Sequence, residues 1–141
     1  MVRARYLVTG LLLAGAIAIP ALASGTARRV VGNCTQSQVR PATIIIACAD
    51  ANLALTHLHW SNFGGATATA AGSYSANDCT PNCAAGHFHA FAVRVVLSRA
   101  RPCPDKHDDY RSAALTFTAA RPPGIKSATT SVSLPGCPLH G

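Results

Sequence analysis

Apolar and polar residues alternate along much of the chain, which is typical of β-strands because successive side chains point to opposite faces of a sheet. The clearest case is the segment 87–99, and the segments 53–60 and 113–119 show the same period. The large residues that share one face of the first segment are Phe91, Val93, Val95 and Leu97. We expect three strands from these segments, and the pattern of the first also indicates which face is buried.

Three further segments carry weaker strand signals. Residues 42–48 hold a β-branched run between Pro41 and turn-forming residues at Asp50, which predicts a strand with both faces covered. Residues 66–71 alternate threonine with alanine; alanine favours a helix, whereas the threonines and the flanking glycines favour a strand of small side chains. Residues 129–134 are expected to close the sheet.

The remaining segments indicate irregular structure. Residues 24–40 are polar without a sustained period, which indicates an N-terminal arm. Residues 73–86 hold turn formers between two cysteines and predict a stapled loop, and the prolines of residues 101–109 predict a second loop. The prediction is an all-β domain over residues 41–141, built as a small disulfide-stabilised antiparallel sandwich or barrel of about five to six strands.

The first residues have the pattern of an export signal. Arg3 and Arg5 precede an uncharged apolar run over residues 7–19, and Ala21-Leu22-Ala23 supplies the small-x-small pattern that a signal peptidase cleaves. The run is shorter than the ~20 residues that span a hydrocarbon core, which argues against a transmembrane anchor. Residues 1–23 are therefore predicted to be a signal peptide, and the mature protein is expected to be secreted and not to span the membrane.

All the cysteines follow the predicted cleavage site, and their even number suits an oxidising compartment. Three disulfides are expected, although spacing leaves their pairing open. The bridges would be useful because the hydrophobic content of 49% rests largely on alanine, which contributes little transfer free energy. The six cysteines are Cys34, Cys48, Cys79, Cys83, Cys103 and Cys137.

Three motifs stand out along the predicted strands and loop. Residues 47–52 read ACADAN, residues 55–60 read LTHLHW, and residues 77–86 read NDCTPNCAAG, with the pair Gly64-Gly65 between them. These motifs resemble the ACADxN, LxxLxW and NDCxPxCAxG patterns of a group of small, mostly uncharacterised, exported actinobacterial proteins. The chain departs from that group at Ala51, where glycine is usual, and this puts only the turn geometry in doubt. The resemblance implies secretion and a β fold, and it supplies no catalytic residue.

Two His-x-His patterns are the sharpest local signal for chemistry. His57 and His59 lie on one predicted strand, and His87 and His89 begin another, so each pair would share a strand face. If the two strands are neighbours, four nitrogens could converge on Zn²⁺ or Cu²⁺, which both accept imidazole. The alternative is that these are ordinary histidines at strand ends, with no cofactor.

Other chemical patterns are weaker. Residues 105–109 hold three carboxylates and an imidazole, but Lys106 interrupts them and the spacing of a calcium loop is missing, so a solvated turn is expected. The sequence has no Gly-x-Ser-x-Gly, no glutamate and no His-Glu-x-x-His. We therefore do not expect an enzyme, and a small hydrolase or an inhibitor is only a third alternative.

The charge balance indicates anionic partners. The chain has 12 Lys+Arg against 5 Asp+Glu, for a net charge of +7. A cationic exported protein is attracted to anionic cell-envelope polymers or lipid head groups over a Debye length of about 8–10 Å. Nucleic acid is not expected, because aromatic residues are sparse and the arginines are scattered along the sequence.

These observations predict a secreted, disulfide-stabilised β module that binds at the cell envelope or outside the cell. A histidine-rich metal-binding protein is the main alternative. The two hypotheses differ in the residues that they need, which are exposed arginines in the first and four convergent histidines in the second.

Overall fold

The structure, a computed structural model, describes residues 27–138, so the predicted signal peptide lies outside the described residues. Within this part of the chain no helix is long and apolar enough to cross a membrane. The strands are β1 (Arg28–Asn33), β2 (Gln36–Gln38), β3 (Ile44–Ile45), β4 (Leu53–Asn62), β5 (Ala68–Asn77), β6 (Phe88–Ser98), β7 (Arg101–Pro102), β8 (His107–Asp109), β9 (Ser112–Phe117) and β10 (Thr129–Ser133).

The strands form two sheets. The main sheet has the order β10-β9-β6-β5-β4-β3, is antiparallel throughout and curls into a half-barrel. The second sheet has the order β2-β1-β8-β7, and within it β1 and β8 run parallel. The predicted all-β fold is confirmed. The six predicted strands all lie in the main sheet, whereas the four strands of the second sheet were not predicted as strands.

The core lies on the concave face of the main sheet. The face of β6 that alternation marked as buried is confirmed there, with Val93 opposite Phe117 and Val95 opposite Leu115 on β9. The second sheet covers this face and contributes Val31 to the same cluster of buried side chains. Large residues on β6 and β9 therefore supply much of the buried core.

A bulge in β4 changes the predicted faces of that strand. The register with β5 shifts between Thr56 and His59, and His57 adopts a φ of 52°. Since a bulge inserts an extra residue, alternation restarts after it. Leu58 is therefore buried and His57 exposed, which corrects the prediction of an unbroken alternation over residues 53–60.

The middle of the chain is more regular than predicted. β5 continues to Asn77, so the prediction that irregular structure begins at residue 73 is wrong. Tyr74 pairs with Leu55 on one side and Phe91 on the other. The strand was missed because its small glycine, serine and alanine side chains hide the period of two. Conversely, the strand predicted over residues 42–48 is reduced to β3.

Two segments predicted as irregular supply the second sheet. The described part of the N-terminal arm forms β1 and β2, with Val30 and Val31 buried, and the segment 101–109 forms β7 and β8. These strands are short, and their residues are mostly polar, so periodicity gave little signal. Their position covering the core explains why the arm is structured.

Three disulfides are present, as predicted, and their pairing is Cys34–Cys48, Cys79–Cys83 and Cys103–Cys137. Cys48 follows β3, which is one edge of the main sheet, and Cys137 follows β10, which is the other edge. Their partners lie in turns of the second sheet. Two bridges therefore fasten the second sheet to both edges of the main sheet, and the third closes the β5–β6 connection.

The bulge in β4 makes Gly72 on β5 a sensitive position. A Cβ atom at Gly72 would lie 2.8 Å from the Leu58 Cδ2 atom and 2.8 Å from the Thr56 carbonyl oxygen. We expect Gly72→Ala to lower the free energy of unfolding by ~1–3 kcal/mol through overpacking, measured by urea denaturation. Gly65→Ala is the control, because its Cβ would meet nothing closer than 3.5 Å. Equal stability of the two variants would contradict this packing.

Candidate functional site

The β5–β6 connection is held by the side chain of Asn77. Its Nδ2 donates to the Asn52 Oδ1 at 2.9 Å and to the Cys83 carbonyl at 2.8 Å, while its Oδ1 accepts from the Cys79 N–H at 2.9 Å. The Cys79–Cys83 bridge closes the same loop. This short connection is therefore fixed by three hydrogen bonds and a covalent link.

Asp78 holds the other side of this loop. Its Oδ1 accepts from the N–H groups of His87 and Thr80, each at 3.0 Å, and its Oδ2 lies 3.0 Å from His89 Nε2. These donors, the His87 N–H first among them, hold the pKa of Asp78 well below its usual range. Asp78 is therefore ionised at neutral pH, and its negative charge is matched locally.

The residues of the three motifs have structural roles. Asn52 links the first motif to the loop of the third, because its Oδ1 accepts a hydrogen bond from Asn77. Its own N–H donates to Asp50 Oδ1 at 3.1 Å within the first motif. In that loop a Cβ at Gly86 would lie 2.8 Å from the Cys79 nitrogen, so only glycine fits there. In the middle motif Trp60 donates to the Pro41 carbonyl at 2.9 Å. These contacts of the motif residues hold the loop and the core in place.

Next to this loop lies a cleft of about 610 Å³, bounded by the ends of β5 and β6 and by the β9–β10 connection. Its walls are mostly apolar, and its polar groups are Asn77, Asp78, His89 and Arg121. The apolar lining residues are Tyr74, Ala76, Phe91, Pro122, Pro123 and Ile125. Such a combination of apolar walls with a few polar groups is typical of small-molecule sites.

A second depression, of about 400 Å³, has a different character. Three arginines line it, namely Arg28 and Arg29 at the start of β1 and Arg40 after β2, together with Phe63. The ring of Phe63 packs edge-on against Trp60 at a centroid distance of 4.9 Å. We call this depression the basic groove. It lies by the β4–β5 connection, at the end of the main sheet opposite the cleft.

The four predicted metal ligands do not come together. β5 lies between β4 and β6, so the strands that carry the two His-x-His patterns are not neighbours. His57 is exposed at the bulge, and His59 lines a shallow depression with Arg94 on the other face of the sheet. His87 precedes β6, and His89 contacts Asp78 in the cleft. The adjacency on which the four-histidine Zn²⁺ or Cu²⁺ site depends is therefore absent.

The carboxylates of residues 105–109 also diverge. Asp105 Oδ2 lies 3.1 Å from His107 Nδ1, and Asp108 Oδ2 lies 3.7 Å from Arg29 Nε. Asp109 is fully buried, and its burial raises the pKa of its carboxyl. Asp109 lies near the sulfurs of Cys103 and Cys137, but these are bonded to each other and so are not thiolate ligands.

No family model, curated protein or solved structure matches the chain. Function is therefore inferred from the cleft and the basic groove. The resemblance to exported actinobacterial proteins stays a prediction.

Sequence reasoning missed both depressions for a common reason. Each combines segments that are distant along the chain, such as Tyr74 with Ile125 in the cleft and Arg28 with Arg40 in the groove. The Arg28-Arg29 pair was visible in the sequence, but the β1–β2 hairpin that brings Arg40 beside it was not. Apolar cleft residues such as Tyr74 gave no signal, because their strand was not recognised.

The hydrogen bonds of Asp78 predict a pH dependence of stability. Folding lowers the pKa of Asp78 from an ordinary value near 3.8. Its contribution to the free energy of unfolding is therefore complete above pH ~3.8 and is lost as the pH falls towards the pKa of the folded state. We expect Asp78→Asn to be less stable than the native protein at neutral pH, with the difference shrinking below pH ~4. Thermal unfolding as a function of pH tests this. A difference that stays constant down to pH ~2.5 would contradict it.

Proposed function

We propose that this protein is an exported module that binds anionic polymers of the cell envelope through the basic groove, without catalysis. Three disulfides fit an oxidising setting outside the cytoplasm, which agrees with the export signal predicted from residues 1–23. The proposal rests on the difference between the environments of the acidic side chains and those of the basic side chains. Most of the acidic groups contact a basic side chain or are buried, whereas most of the basic groups of the described residues face solvent.

Four of the five carboxylate side chains contact a basic side chain or are buried, and the fifth, Asp50, is exposed with Asn52 as its hydrogen-bond partner. Asp108 approaches Arg29, Asp78 and Asp105 each contact a histidine, Asp50 accepts hydrogen bonds from Asn52, and Asp109 is buried. In contrast, most of the described arginines and lysines are exposed and form no ion pair with a carboxylate of residues 27–138. These are Arg28, Arg40, Arg94, Arg99, Arg101, Lys106, Arg121 and Lys126.

The basic groove is where such charges are closest to an apolar surface. Arg28 and Arg40 line the groove and have no carboxylate partner among the described residues. Arg29 also lines it, but its guanidinium lies close to the carboxylate of Asp108. Guanidinium groups bind phosphate and carboxylate oxygens in a bidentate manner, so a repeating anion could engage two of them at once. Phe63 adds an aromatic side chain to the lining of the same depression. This arrangement suits a flexible polyanion.

The double variant Arg28→Gln/Arg40→Gln tests the groove. Immobilised polyglycerol phosphate is the probe, and affinity is measured as a function of salt concentration. We expect binding to weaken about tenfold at low salt, as for two exposed charge contacts of roughly 0.7 kcal/mol each. The native protein should elute at a higher salt concentration than the variant, because salt screens the exposed charges that bind the polymer.

Arg99→Gln/Arg101→Gln is the matched control, since it removes the same charge from exposed positions outside the groove. An equal loss in both double variants would show that net charge, rather than the groove, determines binding. Vesicles of phosphatidylglycerol form a second arm. Binding to those vesicles without binding to the polymer would overturn the proposal in favour of lipid head groups.

A further inference from the structure

We infer that the cleft between the β5–β6 loop and the β9–β10 connection binds a small amphiphilic anion, a molecule with an apolar body and one acidic group. This site is separate from the basic groove, because the two lie at opposite ends of the main sheet. The inference therefore does not depend on polymer binding. It rests on the shape of the cleft, on its apolar floor and on its unmatched charge.

The floor of the cleft is apolar and formed by strands. Tyr74 on β5 and Phe91 on β6 are directly paired across the sheet, and both are only partly buried. The Tyr74 ring packs against Phe117 at a centroid distance of 5.6 Å, which fixes its position. Ile125 and Pro122, from the β9–β10 connection, line the opposite side of the cleft. A volume of about 610 Å³ lies within the range of ~300–1,000 Å³ that is common for small-molecule sites.

Among the charged groups that line the cleft, Arg121 is the one without a partner of opposite charge among the described residues. Asp78 is already bonded to the N–H groups of Thr80 and His87 and to the His89 ring, so it has little capacity for a cationic ligand. Arg121 lines the same cleft, is exposed, and forms no ion pair with any carboxylate of the described residues. The complementary ligand group is therefore an anion, which a guanidinium can hold by two parallel hydrogen bonds.

Both walls of the cleft are held in place before a ligand arrives. The Cys79–Cys83 bridge and the hydrogen bonds of Asn77 fix the loop that carries Asp78. The opposite wall contains Pro122-Pro123, whose rings restrict φ, and the Ile125 N–H donates to the Pro122 carbonyl at 3.2 Å. Because these walls are fixed, binding a ligand would cost little conformational entropy of the chain.

A pair of fluorescent probes separates the acidic group from the apolar body. 1-Anilinonaphthalene-8-sulfonate carries a sulfonate in place of a carboxylate, and N-phenyl-1-naphthylamine has the same aromatic body without the charge. We expect the native protein to bind the sulfonate probe about tenfold more tightly, as for one charge-assisted contact. Arg121→Gln should reduce this preference to nearly equal affinities. Arg99→Gln, an exposed arginine outside the cleft, should leave the preference unchanged.

Ile125→Ser tests the apolar wall, and it lies in a connection rather than in a strand, so the sheet should persist. It should weaken both probes alike, with melting temperature and circular dichroism confirming that the fold is retained. Affinities of Arg121→Gln that equal those of the native protein would overturn the inference. An unchanged affinity for both probes in Ile125→Ser would place the probe elsewhere and would overturn it too.

Competition then identifies the apolar body. Displacement of the sulfonate probe by decanoate supports an aliphatic acid as the ligand, and displacement by 3-phenylpropionate supports an aromatic acid. Displacement by neither acid overturns the inference. Loss of polymer binding in the variants of Arg28 and Arg40, with probe binding retained, would show that the two sites act independently.

Discussion

Two disulfides fasten a small sheet across the concave side of a larger one, and the position of this small sheet determines much of the rest of the structure. Cys34–Cys48 holds it near β3 and Cys103–Cys137 holds it near β10, which are the two edges of the main sheet. Each bridge contributes ~2–4 kcal/mol in the chain-entropy account by restricting the unfolded chain. This matters because many inward positions of β5 are occupied by small residues such as Ala68 and Ala70.

The same arrangement places the two proposed binding sites at opposite ends of the main sheet. The basic groove combines the second sheet with Phe63 next to the β4–β5 connection, so its geometry depends on how the two sheets are joined. The cleft uses only the main sheet and its connections, and its loop has a bridge of its own in Cys79–Cys83. The groove proposed for a polymer and the cleft proposed for a small ligand therefore depend on different parts of the fold.

The sequence predicted the parts of the fold in which large apolar residues alternate. β6 and β9 were recognised because Val93, Val95 and Leu115 leave a clear period. The second half of β5, from residue 73 onward, was missed because its serine and alanine side chains give no contrast between the two faces of the strand. The faces of β4 were misassigned because the bulge at His57 has no sequence signal. The histidine hypothesis depended on strand adjacency, which alternation cannot give.

Mapping the disulfides of the natively purified protein by non-reducing peptide mass spectrometry tests the central claim most directly. After trypsin, the account predicts that peptide 100–106 is linked to peptide 127–141, and that peptide 30–94 contains two internal bridges. Chymotryptic cleavage after Trp60 should then divide peptide 30–94 into separate fragments, one with the Cys34–Cys48 bridge and another with the Cys79–Cys83 bridge. A link from Cys103 or Cys137 to peptide 30–94 would contradict the account, because the second sheet could not then be fastened at both edges.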